Sequence, residues 1–415
     1  MRKINVVYFT AVDIGSGEGG GAICCKNHIE AMAHDPKINL RTVIAGPKNL
    51  EQATIKYISS LGVPFDYLPS DEIRKFDPLR HLRYFSRKFP FSYEKNLRNK
   101  RHVDGSFSEI LQKHSADAVV IDHLPSALYL PSLLDSSIPR CVVKFNREAE
   151  FHREAYIRRK QKSGKKVRNS VLLSKAFARW KKIEENIQNK CHGIVALSKN
   201  DLPKDKSESY LTAVIPPFLE FSDQKWTHSK NRKISFVGNI SHFPNSLAIE
   251  WICTRFAPAL AKLDPEITIR IIGAEAQDVP QTWRHPSVCF LGLGDREAVR
   301  DEFLTCDLFI APIENNFGSK IKLLECIAFG TPFLGTRAAL SGLSFIDSLP
   351  TIELDAPEVG AQIAYDLLSD DSALVDLSRN IHLQVVNFQI ASEGIWGKTI
   401  ERVIAFAKAT SKVPS

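Results

Sequence analysis

The run LFIAPIENNFGSKIKLLECIAFGTPFLGT, Leu308 to Thr336, reads as strand, helix and strand in one stretch. LFIAPI is a short, continuous apolar segment of the kind that a strand buried on both faces requires. From Ile321 the apolar residues Ile321, Leu324, Ile327 and Ala328 recur at helical spacing. Gly330-Thr331-Pro332 then stops the helix before the apolar PFLGT. A strand that reaches the next strand through a helix builds a parallel sheet. The same alternation extends outward in both directions. KISFVG, ITIRIIG and VCFLG are strands of the same set, and INVVYFTAV, LRTVIAG, DAVVIDHL, CVVKF and GIVALS form an earlier one. Two such sets predict an α/β protein of two doubly wound, Rossmann-like parallel-sheet domains that bind ligands at the carboxyl ends of their strands. The expected boundaries are 1–222 and 230–395, with the polar, aperiodic PFLEFSDQKWTHSKNR at the junction.

The 415 residues exceed what one hydrophobic core supports, in keeping with two domains. With 44% hydrophobic and 25% charged residues, the composition is that of a soluble globular protein and excludes a disordered one. No window approaches the roughly 18 apolar residues of a membrane span. MRKINVVYFTAV has the basic start of a signal peptide, but Asp13 and a glycine-rich loop interrupt its apolar run, so it reads as a buried first strand. Eight cysteines without a Cys-x-x-Cys pair indicate reduced thiols and a cytoplasmic location. Charge is divided unevenly. Residues 1–230 carry 39 Lys and Arg against 25 Asp and Glu, whereas the remainder carries 16 against 22. The first domain therefore faces something anionic.

Two local features raise chemical questions. Ser319 can cap the helix that starts near Gly318, which places Lys320 and Lys322 in its first turn, where the helix dipole disfavours positive charge. Glu325 follows Lys322 by three residues and shares its face, so the two form either a solvated surface pair or part of an anion site. The second feature is the loop after the first strand. Gly15, Gly17 and Gly20 fit a dinucleotide fingerprint, but LRTVIAGP ends in Ala45-Gly46-Pro47, without the carboxylate that would hold a ribose. Gly19, Gly20 and Gly21 thus serve either a tight strand-to-helix turn or close backbone approach to a ligand.

FVGNISHFPNSLAIEW, IRIIG, CDLFIAPI, GSKIKLLECIAFGTPFLGT and SGL together resemble the nucleotide-sugar-binding domain of glycosyltransferase family 4. The most similar members are a bacterial group whose second domain opens with a glycine and a Pro-Asn pair, here Gly238, Pro244 and Asn245. The first half resembles the family more weakly, through the glycine loop, Asp122-His123, Phe145-Asn146-Arg147-Glu148 and Ser198-Lys199-Asn200-Asp201. The resemblance implies a GT-B fold, with the two domains facing a cleft and a last helix, from about 396 to 415, crossing back to the first. It implies transfer of a sugar from a UDP- or GDP-linked donor, a co-substrate and not a cofactor, to a hydroxyl acceptor, with retention and without a metal.

The same resemblance places the donor at Gly238, Asn239, Gly318, Ser319, Lys320, Lys322 and Glu325, with Glu325 on the ribose hydroxyls. Helix-start amides and the two lysines would then meet a diphosphate, which reverses the penalty on those lysines. His123 and Lys322 become the catalytic candidates, and Gly19, Gly20, Gly21 and Asn146 the acceptor side. On its residues alone, His123 at a strand end fits a structural role as well. Three positions depart from the family pattern. Phe317 stands where a first glutamate is common, Asn239 and Asn245 stand where an Arg and a Lys grip the diphosphate, and Phe145 replaces a histidine before Asn146.

No His/Asp cluster has the spacing of metal ligands. Other readings are a nucleotide-sugar epimerase or hydrolase on the same fold, or a polyanion-binding protein without activity. The expected partners are a nucleotide sugar and a glycan or lipid-linked acceptor, with no nucleic acid. The basic-aromatic stretch from Arg80 to His102 adds an anionic membrane surface, the inner face in a cytoplasmic protein.

Overall fold

The computed structural model describes residues 2–12, 14, 20–47, 51–70, 100–162, 171–204, 208–217, 224–314, 321–341, 343, 346 and 349–411. The chain divides into two compact units, Met1–Phe218 with Glu393–Ser415, and Leu219–Asn316 with Lys320–Ser392.

The first unit runs β1 Ile4–Thr10, α1 Gly20–Ala33, β2 Ile38–Pro47, α2 Glu51–Ser60, β3 Phe65–Ser70, α3 Lys100–His114, β4 Ala118–Asp122, α4 Pro131–Leu134, β5 Arg140–Lys144, α5 Glu148–Lys162, α6 Val171–Asn189, β6 Gly193–Ala196 and β7 Leu211–Val214. Its strands form a wholly parallel sheet in the order β3-β2-β1-β4-β5-β6-β7. β4 and β5 are buried along their full length, which explains their unbroken apolar sequences. The edge strands β3 and β7 are not among the segments expected to be strands. β7 is only half-buried and β3 mixes polar with apolar residues, so neither carries the continuous apolar signal of a central strand.

The second unit runs β8 Lys233–Val237, α7 Phe243–Trp251, α8 Ala257–Leu263, β9 Thr268–Ile272, β10 Val288–Phe290, α9 Arg296–Thr305, β11 Leu308–Ala311, α10 Ile321–Ala328, β12 Phe333–Gly335, α11 Arg337–Leu340, α12 Pro357–Ser369 and α13 Asp371–Ser392. Its parallel sheet is ordered β10-β9-β8-β11-β12. Ile234, Ile269, Ile271, Leu308, Ile310 and Phe333 at its centre are all buried, each side chain contributing about 1.5–3 kcal/mol. The entry to β8 is fixed electrostatically. Lys230 and Arg232 have φ of 57° and 52°, a region that L side chains seldom adopt. Buried Asp307 holds the turn, accepting from Ser229 N at 3.0 Å, Ser229 Oγ at 2.9 Å and Lys233 N at 3.0 Å.

The final helix, α14 Ile395–Thr410, belongs to the first unit. Its buried Trp396 stacks edge-on against His28 of α1 at 5.3 Å, and Gly397 N donates to Asp35 Oδ2 at 2.7 Å. All eight cysteines are thiols and only Cys289 is exposed. No helix among the described residues is long and apolar enough to cross a membrane.

Candidate active site

A doubly wound sheet offers its ligand crevice where the strand order reverses, beyond the carboxyl ends of the two strands that flank the reversal. In the first unit that point lies between β1 and β4, and in the second between β8 and β11. His123 follows β4 directly, and Gly238 and Asn239 follow β8. Each sheet thus presents sequence-predicted residues at its own switch point.

In the second unit, Gly238 is buried and Asn239 exposed. A Cβ on Gly238 would lie 2.7 Å from Asn245 Cγ, so glycine lets the start of α7 close on the end of β8. Asn245 Nδ2 donates to Asn239 O at 3.0 Å, and Asn239 Oδ1 accepts from Ser241 N at 2.8 Å. The two asparagines therefore hold this loop together. From the other side Gly273, with φ of 109°, leaves room for the Gly238 carbonyl, where any Cβ would collide with backbone.

Helix α10 follows β11. Lys322 Nζ stands 2.8 Å from Glu325 Oε2, both side chains partly exposed, so Glu325 offsets within the helix the charge that the dipole disfavours. Gly318, Ser319 and Lys320, and Phe317 beside them, lie outside the described residues, as does Gly19.

In the first unit, α1 begins at Gly20. A Cβ on Gly21 would sit in ordinary contact with Phe145 at 3.5 Å and Val12 at 3.7 Å, so packing within the unit does not itself demand glycine there. Asn146 is half-buried in the loop from β5 to α5. His123 is buried and has φ of 70° and ψ of 112°, outside the ordinary regions for a side-chain-bearing residue. Its Nε2 lies 3.2 Å from Glu148 Oε1, and Glu148 Oε2 lies 3.5 Å from His152 Nε2. Burial alone would raise the Glu148 carboxyl, but the neighbouring imidazoles of His123, then His152, hold it well below the usual carboxylate range. Beside it, Asp122 Oδ2 accepts from Tyr8 Oη and lies 2.8 Å from His28 Nδ1, with all three side chains buried. Burial, then the charge of Asp122, pushes the Tyr8 phenol well above its ordinary value, so it remains a donor.

Sequence reasoning singles out His123 but not this surrounding cluster. Its members come from separate segments, His28 and Asp122 being 94 residues apart, so no spacing rule links them. The available signal is the pair of strings already noted, Asp122-His123 and Glu148 behind Phe145-Asn146-Arg147. Among the described residues, no group of three or more His, Cys, Asp or Glu could hold a metal ion.

Residues 231–348 match the family model described as glycosyl transferases group 1. That segment runs from the start of β8 past β12, so the second unit contains a glycosyltransferase domain. No curated protein matches the chain by sequence. Among solved structures, TarM is similar with a TM-score of 0.66 at 9% identity, covering 95% of this chain and 98% of that one. Sucrose-phosphate synthase from Thermosynechococcus elongatus is similar at 0.64 and 12% identity, covering 96% and 98%. Anabaena HepE, in complex with UDP and glucose, is similar at 0.57 and 12%, covering 99% and 100%. At these identities the likeness carries the fold, which is the two-domain GT-B fold, and the family match adds the enzyme class, a glycosyltransferase.

Proposed function

We propose that this protein transfers a sugar from a nucleotide-diphosphate sugar, UDP- or GDP-linked, to a hydroxyl of a glycan or lipid-linked acceptor. The observation that carries the reading is the family match over 231–348, which includes the strand-helix segment bearing Lys322 and Glu325. The likeness to a structure holding UDP and glucose supports a nucleotide-sugar donor.

In this reading the Lys322–Glu325 pair is preorganised for both halves of a nucleotide diphosphate. An ammonium has three donors and a carboxylate about four acceptor sites, so the bond between them leaves capacity on both. Lys322 and the adjoining helix start serve the diphosphate, and Glu325 the ribose hydroxyls. As the bond from sugar to diphosphate breaks, charge grows on the leaving oxygens, and fixed donors there lower the barrier. Asn239, at the end of β8, adds a polar side chain on the donor side. His123 and the acceptor-side loop, Gly19, Gly20, Gly21 and Asn146, act from the first unit. We read the reaction as retaining and metal-independent on the family resemblance, with a place in glycan or glycolipid synthesis at the inner face of a membrane.

A hydrolase or epimerase would turn over donor without acceptor. A polyanion binder would show steep salt dependence and no nucleotide preference. Thermal unfolding with UDP, GDP, ADP and their sugars tests the proposal. Stabilisation by one nucleotide class supports it, and stabilisation by none contradicts it.

A further inference from the structure

His123 is held more firmly than a strand-end residue needs to be. We propose that Glu148 is a positioning residue for His123, fixing its imidazole at the first sheet's switch point. This deepens the reading of His123 as an active-site group and rests on it.

Strain comes first. A φ of 70° with ψ of 112° is strained for a non-glycine residue and persists only where neighbours determine it. Here they do so from several directions. Ser126 N donates to His123 O at 2.8 Å, and Ser126 Oγ accepts from Ala11 N at 3.0 Å, which ties the turn to the end of β1. On the preceding residue, Asp122 is anchored by Tyr8 and His28. The ring packs on Phe145 with centroids 4.6 Å apart.

Glu148 completes this enclosure. It sits in the first turn of α5, where the helix dipole favours a carboxylate. Its side chain is 2% exposed, and a charge so buried is retained only when paired. The two imidazoles of His123 and His152 supply the pairing. The helix start that carries it is anchored in turn, because buried Lys144 Nζ lies 2.7 Å from Glu184 Oε1 and Glu184 Oε2 accepts from Ala149 N at 3.1 Å. A carboxylate on one ring edge fixes both the orientation of an imidazole and the edge it presents elsewhere.

The test uses the full chain and measures nucleotide release from a panel of UDP- and GDP-sugars in the presence of a set of octyl glycosides as hydroxyl acceptors, with calorimetric binding of UDP or GDP counting the competent molecules. For the donor that wild type turns over, Glu148→Gln lowers maximal turnover about tenfold or more per competent molecule and changes the donor KM less than about twofold, since a small misplacement of a reacting group has effects of this size. Glu148→Asp restores part of the loss. In a His123→Gln background, Glu148→Gln has no further effect, which separates positioning from general damage to the fold. Wild-type turnover in Glu148→Gln, or an undiminished loss in the His123→Gln background, overturns the positioning role alone. A wild-type chain that binds and turns over no member of the panel removes the donor reading beneath it as well.

Discussion

At the scale of the residue, the proposals rest on two acid–base pairings, Lys322 with Glu325 and His123 with Glu148. Only the first was readable from spacing, because an i,i+3 relation on a helix is local, whereas Glu148 reaches His123 through the order of strands β4 and β5. Under the proposed function, Lys322→Ala and Glu325→Ala each weaken nucleotide binding by about 1–3 kcal/mol, the effect of a lost charge-assisted hydrogen bond. Both side chains are partly exposed, so circular dichroism should find folding preserved. His123→Ala should depress transfer more than nucleotide binding, which calorimetry and an assay with acceptor separate. The Glu148 shift also predicts a pH dependence. Its carboxyl is depressed in the folded chain, so its stabilisation is fully present above the unfolded value near 4.5 and is lost as pH falls toward the folded one. Urea unfolding from pH 7 downward should show stability falling below about pH 4.5. Glu148→Gln should show a shallower fall over that range, and identical slopes would remove this contribution.

At the scale of the element, turns and strand ends set the two switch points. Asp307 holds a loop containing two residues in left-handed backbone, so Asp307→Ala strands part-buried donors and should cost about 1–3 kcal/mol in chemical denaturation. Gly273→Ala should cost as much or more, because its Cβ meets the Gly238 backbone, which cannot rotate away as a side chain could. If Gly273→Ala unfolds at the wild-type midpoint, the close approach of the loops after β8 and β9 is not needed. The central strands were legible because burial on both faces leaves an unbroken apolar run. Phe65–Ser70 and Leu211–Val214 were not, because an edge strand needs only half of its residues apolar.

At the scale of the whole molecule, two features organise the chain: a GT-B pair of parallel sheets and a strong division of charge, with 39 basic against 25 acidic residues before position 231. The fold class was legible throughout, since repeated strand–helix alternation admits few other architectures. The charge division motivates the membrane proposal. Its basic-aromatic stretch, Arg80 to His102, falls largely outside the described residues. Each Lys or Arg near an anionic leaflet contributes about 1 kcal/mol. Co-sedimentation should therefore show binding to anionic vesicles, none to neutral ones, and loss when salt near 1 M shortens screening to about 3 Å. Replacing Arg83, Arg87 and Lys88 with Glu should weaken it, and equal binding to both vesicle types would exclude this attraction.

The central claim is that the second unit binds a nucleotide-diphosphate sugar through Lys322 and Glu325, and calorimetric titration of wild type and Glu325→Ala with UDP, GDP and their sugars tests it most directly. The account predicts saturable one-to-one binding of one nucleotide class to wild type, weakened about five- to hundredfold in Glu325→Ala, the equivalent of roughly 1–3 kcal/mol. Equal affinity in the two proteins, or no binding by any member of the panel, would contradict it.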